Sequence, residues 1–332
     1  MSDQGDLASR IDARIRRSVI VGDDGSDIPR SGAGAPAEGH AVADLFSADE
    51  IFRRLSATAD DEFRRTPRML WFSGIAAGVS IGLTFLARMA LAAATESEGV
   101  FPGDLLYPIG FVVVVLGRYQ LFTENTLTPV TLVMTRIASL PALMRLWGVV
   151  LAANLAGAFG IALLLSAPGL LEPEQLQVGR EIASHALEVP SVGLFWKAVV
   201  AGTIVASMVW LTHSIREGTG RIIVVYLLML LIPTADLFHC ITGFCEVVFG
   251  VLQGDASMLE ALRFLAVVVT GNTLGGVLLV ATINYGQTVE RRFPDRDCHL
   301  LQLSWREFLL GHHDGRQPGG VVAPELETAR DG

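Results

Sequence analysis

The sequence predicts an all-α membrane protein of six transmembrane helices, arranged as two inverted repeats of three, with the second and fifth helices broken. Three observations lead there. Hydrophobic residues make up 51% of the 332 residues, charged residues only 18%, and the mean hydropathy is +0.47, a balance foreign to soluble domains. Six apolar segments, at roughly 69–94, 106–135, 142–168, 192–215, 222–252 and 262–285, match the roughly 20 residues that cross a bilayer. The connections between them alternate between basic and acidic.

Residues 1–45 are rich in Gly, Asp, Ser and Arg and contain Ser31-Gly32-Ala33-Gly34-Ala35-Pro36, so a disordered cytoplasmic tail is expected. Over 46–66 an amphipathic surface helix is expected, opened by the capping pattern Ser47-Ala48-Asp49-Glu50, built on Ile51, Leu55 and Phe63, and ended by Pro67. A six-helix transmembrane domain is then expected over 67–290, and a cytoplasmic C-terminal tail over 291–332.

Within the transmembrane domain the first span carries Gly74, Gly78 and Gly82, the third Gly157 and Gly160, and the sixth Gly271 and Gly275, spacings that let helix backbones approach closely. The second span is interrupted by Gly117 to Pro129, the fifth by Pro233-Thr234-Ala235-Asp236-Leu237-Phe238-His239. Interruptions at matching places in two halves point to a solute site near the bilayer midplane. Arg53, Arg54, Arg64, Arg65 and Arg68 precede the first span; Arg136 and Arg145 separate the second from the third; Arg216 and Arg221 precede the fifth; Arg291 and Arg292 follow the sixth. These ends are cytoplasmic, and both termini are inside. Three spans per half then make the halves insert upside down relative to each other.

Other chemistries find little support. Cys240, Cys245 and Cys298 lack metal or disulfide spacing, so no metal and no cofactor are expected. Arginines are balanced by acids in both tails, which argues against nucleic acid as a partner. Gly78-Val79-Ser80-Ile81-Gly82 spells a nucleophile-elbow pattern but lies inside a helix with no strand before it, and no HExxH occurs, so the chain is not read as an enzyme. No apolar run precedes residue 69, so the first membrane helix is expected to direct insertion itself.

The ionisable residues at membrane depth are the candidates for function. His239 in an apolar passage would stay neutral until an arriving anion favours its protonation, and could then hand a proton to the anion of a weak acid. Alternatively, it hydrogen-bonds backbone freed by the break. Asp236, His239, Gly243 and Glu246 would share one face if the segment were helical; those carboxylates are either paired with Arg88 or Arg118, the preferred reading, or protonated, or the passage takes a cation or neutral solute. Glu124 poses the same problem beside Thr123, again with Arg118 as a candidate partner. His185, His213, His312 and His313 read as solvated.

Leu121-Phe122-Thr123, Gly220-Arg221, Phe238-His239-Cys240-Ile241 and Gly271-Asn272-Thr273-Leu274-Gly275-Gly276 together resemble, in order and spacing, four motifs of the formate/nitrite transporter family, over roughly 69–290. The resemblance implies an aquaporin-like protomer within a homopentamer in the bacterial inner membrane, each protomer passing small monovalent anions such as formate, nitrite or hydrosulfide. It implies a pore lined by His239, Thr123 and Asn272, with Phe111, Leu121 and Phe122 as constrictions. The chain departs from the family where Phe238 replaces a glutamate, Gly243 and Ala206 replace asparagines, and Ala186 stands near a frequent lysine. The rival readings are a neutral-solute channel, weakened by the lack of Asn-Pro-Ala in either interruption, and a membrane scaffold or sensor with a closed pore.

Overall fold

The computed structural model describes residues 19–21, 27–29, 46–95, 101–286 and 302–311, and among these described residues the regular structure is helical apart from one short ribbon. The chain divides into two units, Met1–Ser47 and Ala48–Gly332. In the first, β1 (Val19–Val21) pairs antiparallel with β2 (Asp27–Pro29), Ile20 opposite Ile28. Six residues of the tail expected to be disordered are thus paired; the rest of that tail, and most of the C-terminal tail, lie outside the described residues.

The second unit opens with α1 (Ala48–Arg64), whose Ile51, Phe52, Leu55 and Ala59 are buried at helical spacing. Next come α2 (Pro67–Ala94), the short α3 (Phe101–Asp104), α4 (Ile109–Gly117), α5 (Thr128–Met134) and α6 (Leu140–Leu165). Then follow α7 (Pro173–Glu188), α8 (Ser191–Ser214), α9 (Gly218–Thr234), α10 (Cys240–Leu252) and α11 (Met258–Leu274). A π-helical stretch, Gly275–Ala281, continues α11 into α12 (Thr282–Gly286), and α13 (Trp305–Leu310) lies in the C-terminal segment.

Among the described residues, four helices are long and apolar enough to cross a membrane: Pro67–Ala94, Leu140–Leu165, Ser191–Ser214 and Met258–Gly286. The second and fifth apolar segments are each a pair of shorter helices, α4 with α5 and α9 with α10. Non-glycine residues in left-handed conformation end three of these: Arg118 (φ 54°) after α4, Arg136 (φ 56°) after α5, and Asp236 (φ 52°) after α9. That turn lets the amide just after the left-handed residue reach back, as Leu237 N–H does to Ile232 C=O at 2.8 Å. Pro129 and Pro233, placed by sequence in the interruptions, instead lie in the first turn of α5 and the last turn of α9. At an N-terminal position proline's missing N–H costs nothing.

Two helix pairs form the closest packing, α2 with α6 and α8 with α11. A Cβ on Gly78 would sit 2.1 Å from the Asn154 carbonyl oxygen, and one on Gly202 would sit 2.2 Å from the Asn272 carbonyl oxygen. Glycine is required at both places because backbone meets backbone. α1 packs on α5, α8 and α12. α13 is tied down through Leu303 N–H donating to Arg136 C=O (2.8 Å) and the Arg136 guanidinium over the Trp305 ring.

Candidate functional site

Both interruptions expose peptide groups in an apolar interior, and in each a buried asparagine satisfies two of them. Asn272 on α11 donates through Nδ2 to the carbonyls of Ala198 (2.7 Å) and Phe238 (3.0 Å), and its Oδ1 accepts from Cys240 N–H (2.9 Å). Asn154 on α6 donates to the carbonyls of Gly74 (2.8 Å) and Gln120 (2.8 Å) and accepts from Phe122 N–H (2.8 Å). Each side chain therefore spans a long helix and the two peptides flanking the middle residue of an interruption. Both asparagines are fully buried. Asn272 belongs to the residues predicted for the site; Asn154 was missed. Its signal was a lone amide in the apolar run 146–165.

His239 is the N-cap residue of α10. Its Nδ1 accepts from Thr242 N–H (3.3 Å), with Thr242 Oγ1 3.2 Å away. An imidazole nitrogen that accepts carries no proton, so hydrogen-bond accounting assigns the proton to Nε2, which donates to Thr123 Oγ1 at 2.8 Å. The backbone-bonding role expected from sequence falls to Nδ1, which caps α10, while Nε2 joins the two interruptions. The edge of Phe111 packs against the ring at 5.0 Å between centroids. Phe111, Leu121, Phe122, Thr123 and His239 are all buried, with Phe122 edge-on to Trp147.

Two cavities adjoin this cluster. One, of about 330 Å³, is lined by His239, Tyr107, Arg88, Glu246, His185 and Asp236, among others. The other, of about 370 Å³, is lined by residues of α1 together with Gln120, Glu124, Thr128, Arg118 and His213. Thr123, bonded to the histidine of the first cavity, directly precedes Glu124 of the second.

The charge network differs in part from the expected one. Arg88 pairs with Glu246 (3.1 Å) and also with Asp104 (2.6 Å) on α3, a partner the sequence did not suggest. Asp236 pairs with neither Arg88 nor Arg118. The left-handed turn swings it out of helical register, and it bonds His185 Nε2 (2.8 Å) and the ammonium of Lys197, the chain's only lysine. His213 is likewise held rather than solvated, between Thr58 Oγ1 (3.2 Å) and Val209 C=O (2.8 Å). Arg118 is exposed at the end of α4 and forms no ion pair with Glu124, whose Oε1 is buried without a hydrogen-bond partner. Facing it from α1, Glu62 is 4% exposed and accepts from Thr128 Oγ1 (2.8 Å). Burial raises its carboxyl to about 7. Cys240 and Cys245 are buried free thiols; Cys298, His312 and His313 lie outside the described residues.

A model of the formate/nitrite transporter family matches residues 49–286. The inner membrane protein YfdC of Escherichia coli (strain K12) is 31% identical over 245 residues, covering 71% of this chain and 77% of that protein. A solved structure described as an FNT family ion channel superposes with a TM-score of 0.66 at 22% identity, over 72% of this chain and 99% of that one. A second, described as a pentameric formate channel with formate bound, gives a TM-score of 0.54 at 22% identity, over 69% of this chain and 97% of that one.

Proposed function

Since the chain belongs to the formate/nitrite transporter family, we propose that it conducts small monovalent weak-acid anions across a bacterial inner membrane, through a passage whose waist is His239 and Thr123. The observation that carries the reading is the hydrogen bond between His239 Nε2 and Thr123 Oγ1. It joins the two interruptions in a buried apolar cluster between two cavities.

The matched pinning of the interruptions by Asn154 and Asn272, and the matched close contacts at Gly78 and Gly202, support two inverted three-helix repeats. Basic loop residues support a cytoplasmic location for both termini. The cavity beside α1 is then the inner vestibule, and the cavity beside α7 the outer one. A pentamer of such protomers is supported by the likeness to the pentameric formate channel.

The chemistry follows from the donors present. Thr123 Oγ1 accepts the imidazole N–H, so its own hydroxyl proton is left to donate, and an anion at the waist is the acceptor it suits. A bare ion meeting Phe111 and Leu121 gives up hydration for little in return, whereas the neutral conjugate acid crosses such a constriction at far lower cost. Anions of weak acids are therefore favoured over anions of strong acids.

Proteoliposome uptake of formate, nitrite and hydrosulfide across a pH series, for wild type and His239→Ala, tests the proposal. Wild type should pass at least one of them faster than protein-free vesicles, and the variant should lose that flux. No flux of any of them contradicts the proposal, and high water permeability by light scattering would favour a neutral-solute channel.

A further inference from the structure

If a weak-acid anion crosses the waist as its neutral acid, some group must bind the proton that travels with it. His239 is poorly placed for this. Its Nε2 already holds a proton, and losing it would leave an imidazolate unless Nδ1 gained one. A proton on Nδ1 would face Thr242 N–H, donor against donor, and would strip α10 of its cap.

The inner vestibule offers a better group. Glu62 and Glu124 face each other there, on α1 and on the interruption that carries Thr123, and neither is ion-paired among the described residues. Glu62 spends one oxygen on the Thr128 hydroxyl, and Glu124 Oε1 is sealed from solvent with nothing to bond. Two carboxyl groups facing each other at one cavity can share a single proton between them. Burial by itself raises Glu62 to about 7, so the proton is held there near neutrality. The other charged or titratable groups at this cavity are Arg54 and Asp61 from α1, Arg65 just past its end, Arg118 and Tyr119 from the first interruption, His213 from α8, and Arg221 beyond it. Four arginines against Asp61 and one shared carboxylate charge leave the vestibule positive, a setting that gathers anions beside a held proton.

We infer that Glu62 and Glu124 together form the proton-binding site for transport, which loads the anion at the inner vestibule before it reaches the waist. This rests on the conduit reading. On the way out, the carboxyl O–H breaks and an O–H or S–H bond forms on the anion. The neutral acid passes, the pair is left doubly ionised, and cytoplasmic water reprotonates it. On the way in, the pair first releases its proton to cytoplasmic water, and the arriving acid then gives its own proton to the ionised pair and leaves as the anion. Because the pair holds its proton tightly, more basic anions take it more readily, so hydrosulfide should outpace formate and nitrite.

The test uses full-length protein in vesicles containing a pH-sensitive dye, with anion uptake measured in parallel and protein-free vesicles subtracted. Wild type should carry a proton with each anion, lose flux as pH rises past 7, and prefer hydrosulfide. Glu62→Gln, Glu124→Gln and the double variant should lose both the accompanying proton and the pH dependence. Should one variant fail to fold, the other carries the same readout. Variants that conduct with the wild-type proton signal and pH profile overturn the assignment while leaving the conduit intact. Wild type that passes no anion overturns both.

Discussion

Asn272→Leu removes the pin from the second interruption with nearly the same side-chain bulk, and its cost can be worked from the bonds it breaks. Three backbone groups lose their partner: the carbonyls of Ala198 and Phe238 and the N–H of Cys240. All lie in the buried interior, where each unsatisfied group costs about 1–3 kcal/mol, so the total is about 3–9 kcal/mol. At about 2–4 °C per kcal/mol, even the lower bound displaces the midpoint of thermal unfolding by about 6 °C or more. Asn272→Asp should fall between Leu and wild type, because a carboxylate still accepts from Cys240 N–H but donates to neither carbonyl. Asn154→Leu, which strands Gly74 C=O, Gln120 C=O and Phe122 N–H, should match Asn272→Leu in size. The assay is size-exclusion chromatography of detergent-solubilised protein after stepwise heating, with Thr270→Val, at an exposed helical position, as the reference. An Asn272→Leu midpoint within a degree or so of that reference would refute the pinning argument.

Other substitutions test other parts of the account. Arg88→Met leaves Asp104 and Glu246 buried without their cation, an expected loss of about 3–5 kcal/mol that Arg88→Met/Glu246→Leu should partly restore in the same heating assay. Gly78→Ala drives a methyl into the Asn154 carbonyl and should cost about 1–3 kcal/mol or more, seen as lower yield of folded protein. Burial raises Glu62 from 4.5 to about 7, so its proton stabilises the fold fully below 4.5, and that contribution is lost as pH climbs through 7. Glu62→Gln should therefore exceed wild type in stability at pH 8 by up to about 3 kcal/mol and show no such gain at pH 4; equal melting differences at both pH values would count against this.

The interruptions were legible because a bilayer tolerates polar and helix-breaking residues only where protein satisfies them, so Gly117 to Pro129 and Pro233 to His239 stand out against their apolar flanks. The extent of each was less legible, since Pro129 and Pro233 sit comfortably in helix ends. Glu62 was not singled out in the surface helix, because only the docking of α1 on α5 buries it against Thr128. Asp236 seemed to share a face with Glu246 under helical periodicity; its left-handed turn sends it instead to His185 and Lys197, which are 51 and 39 residues earlier in the chain. Asn154 needed knowledge of what lies 34 residues before it, a distance that no local pattern records.

The central claim, that an anion crosses where Thr123 meets His239, is tested most directly by formate uptake into proteoliposomes holding wild type or Thr123→Val at equal protein density. Wild type is expected to exceed protein-free vesicles clearly, and the variant, which lacks the hydroxyl that faces both imidazole and anion, to lose most of that excess. Equal uptake by wild type and Thr123→Val would contradict the claim.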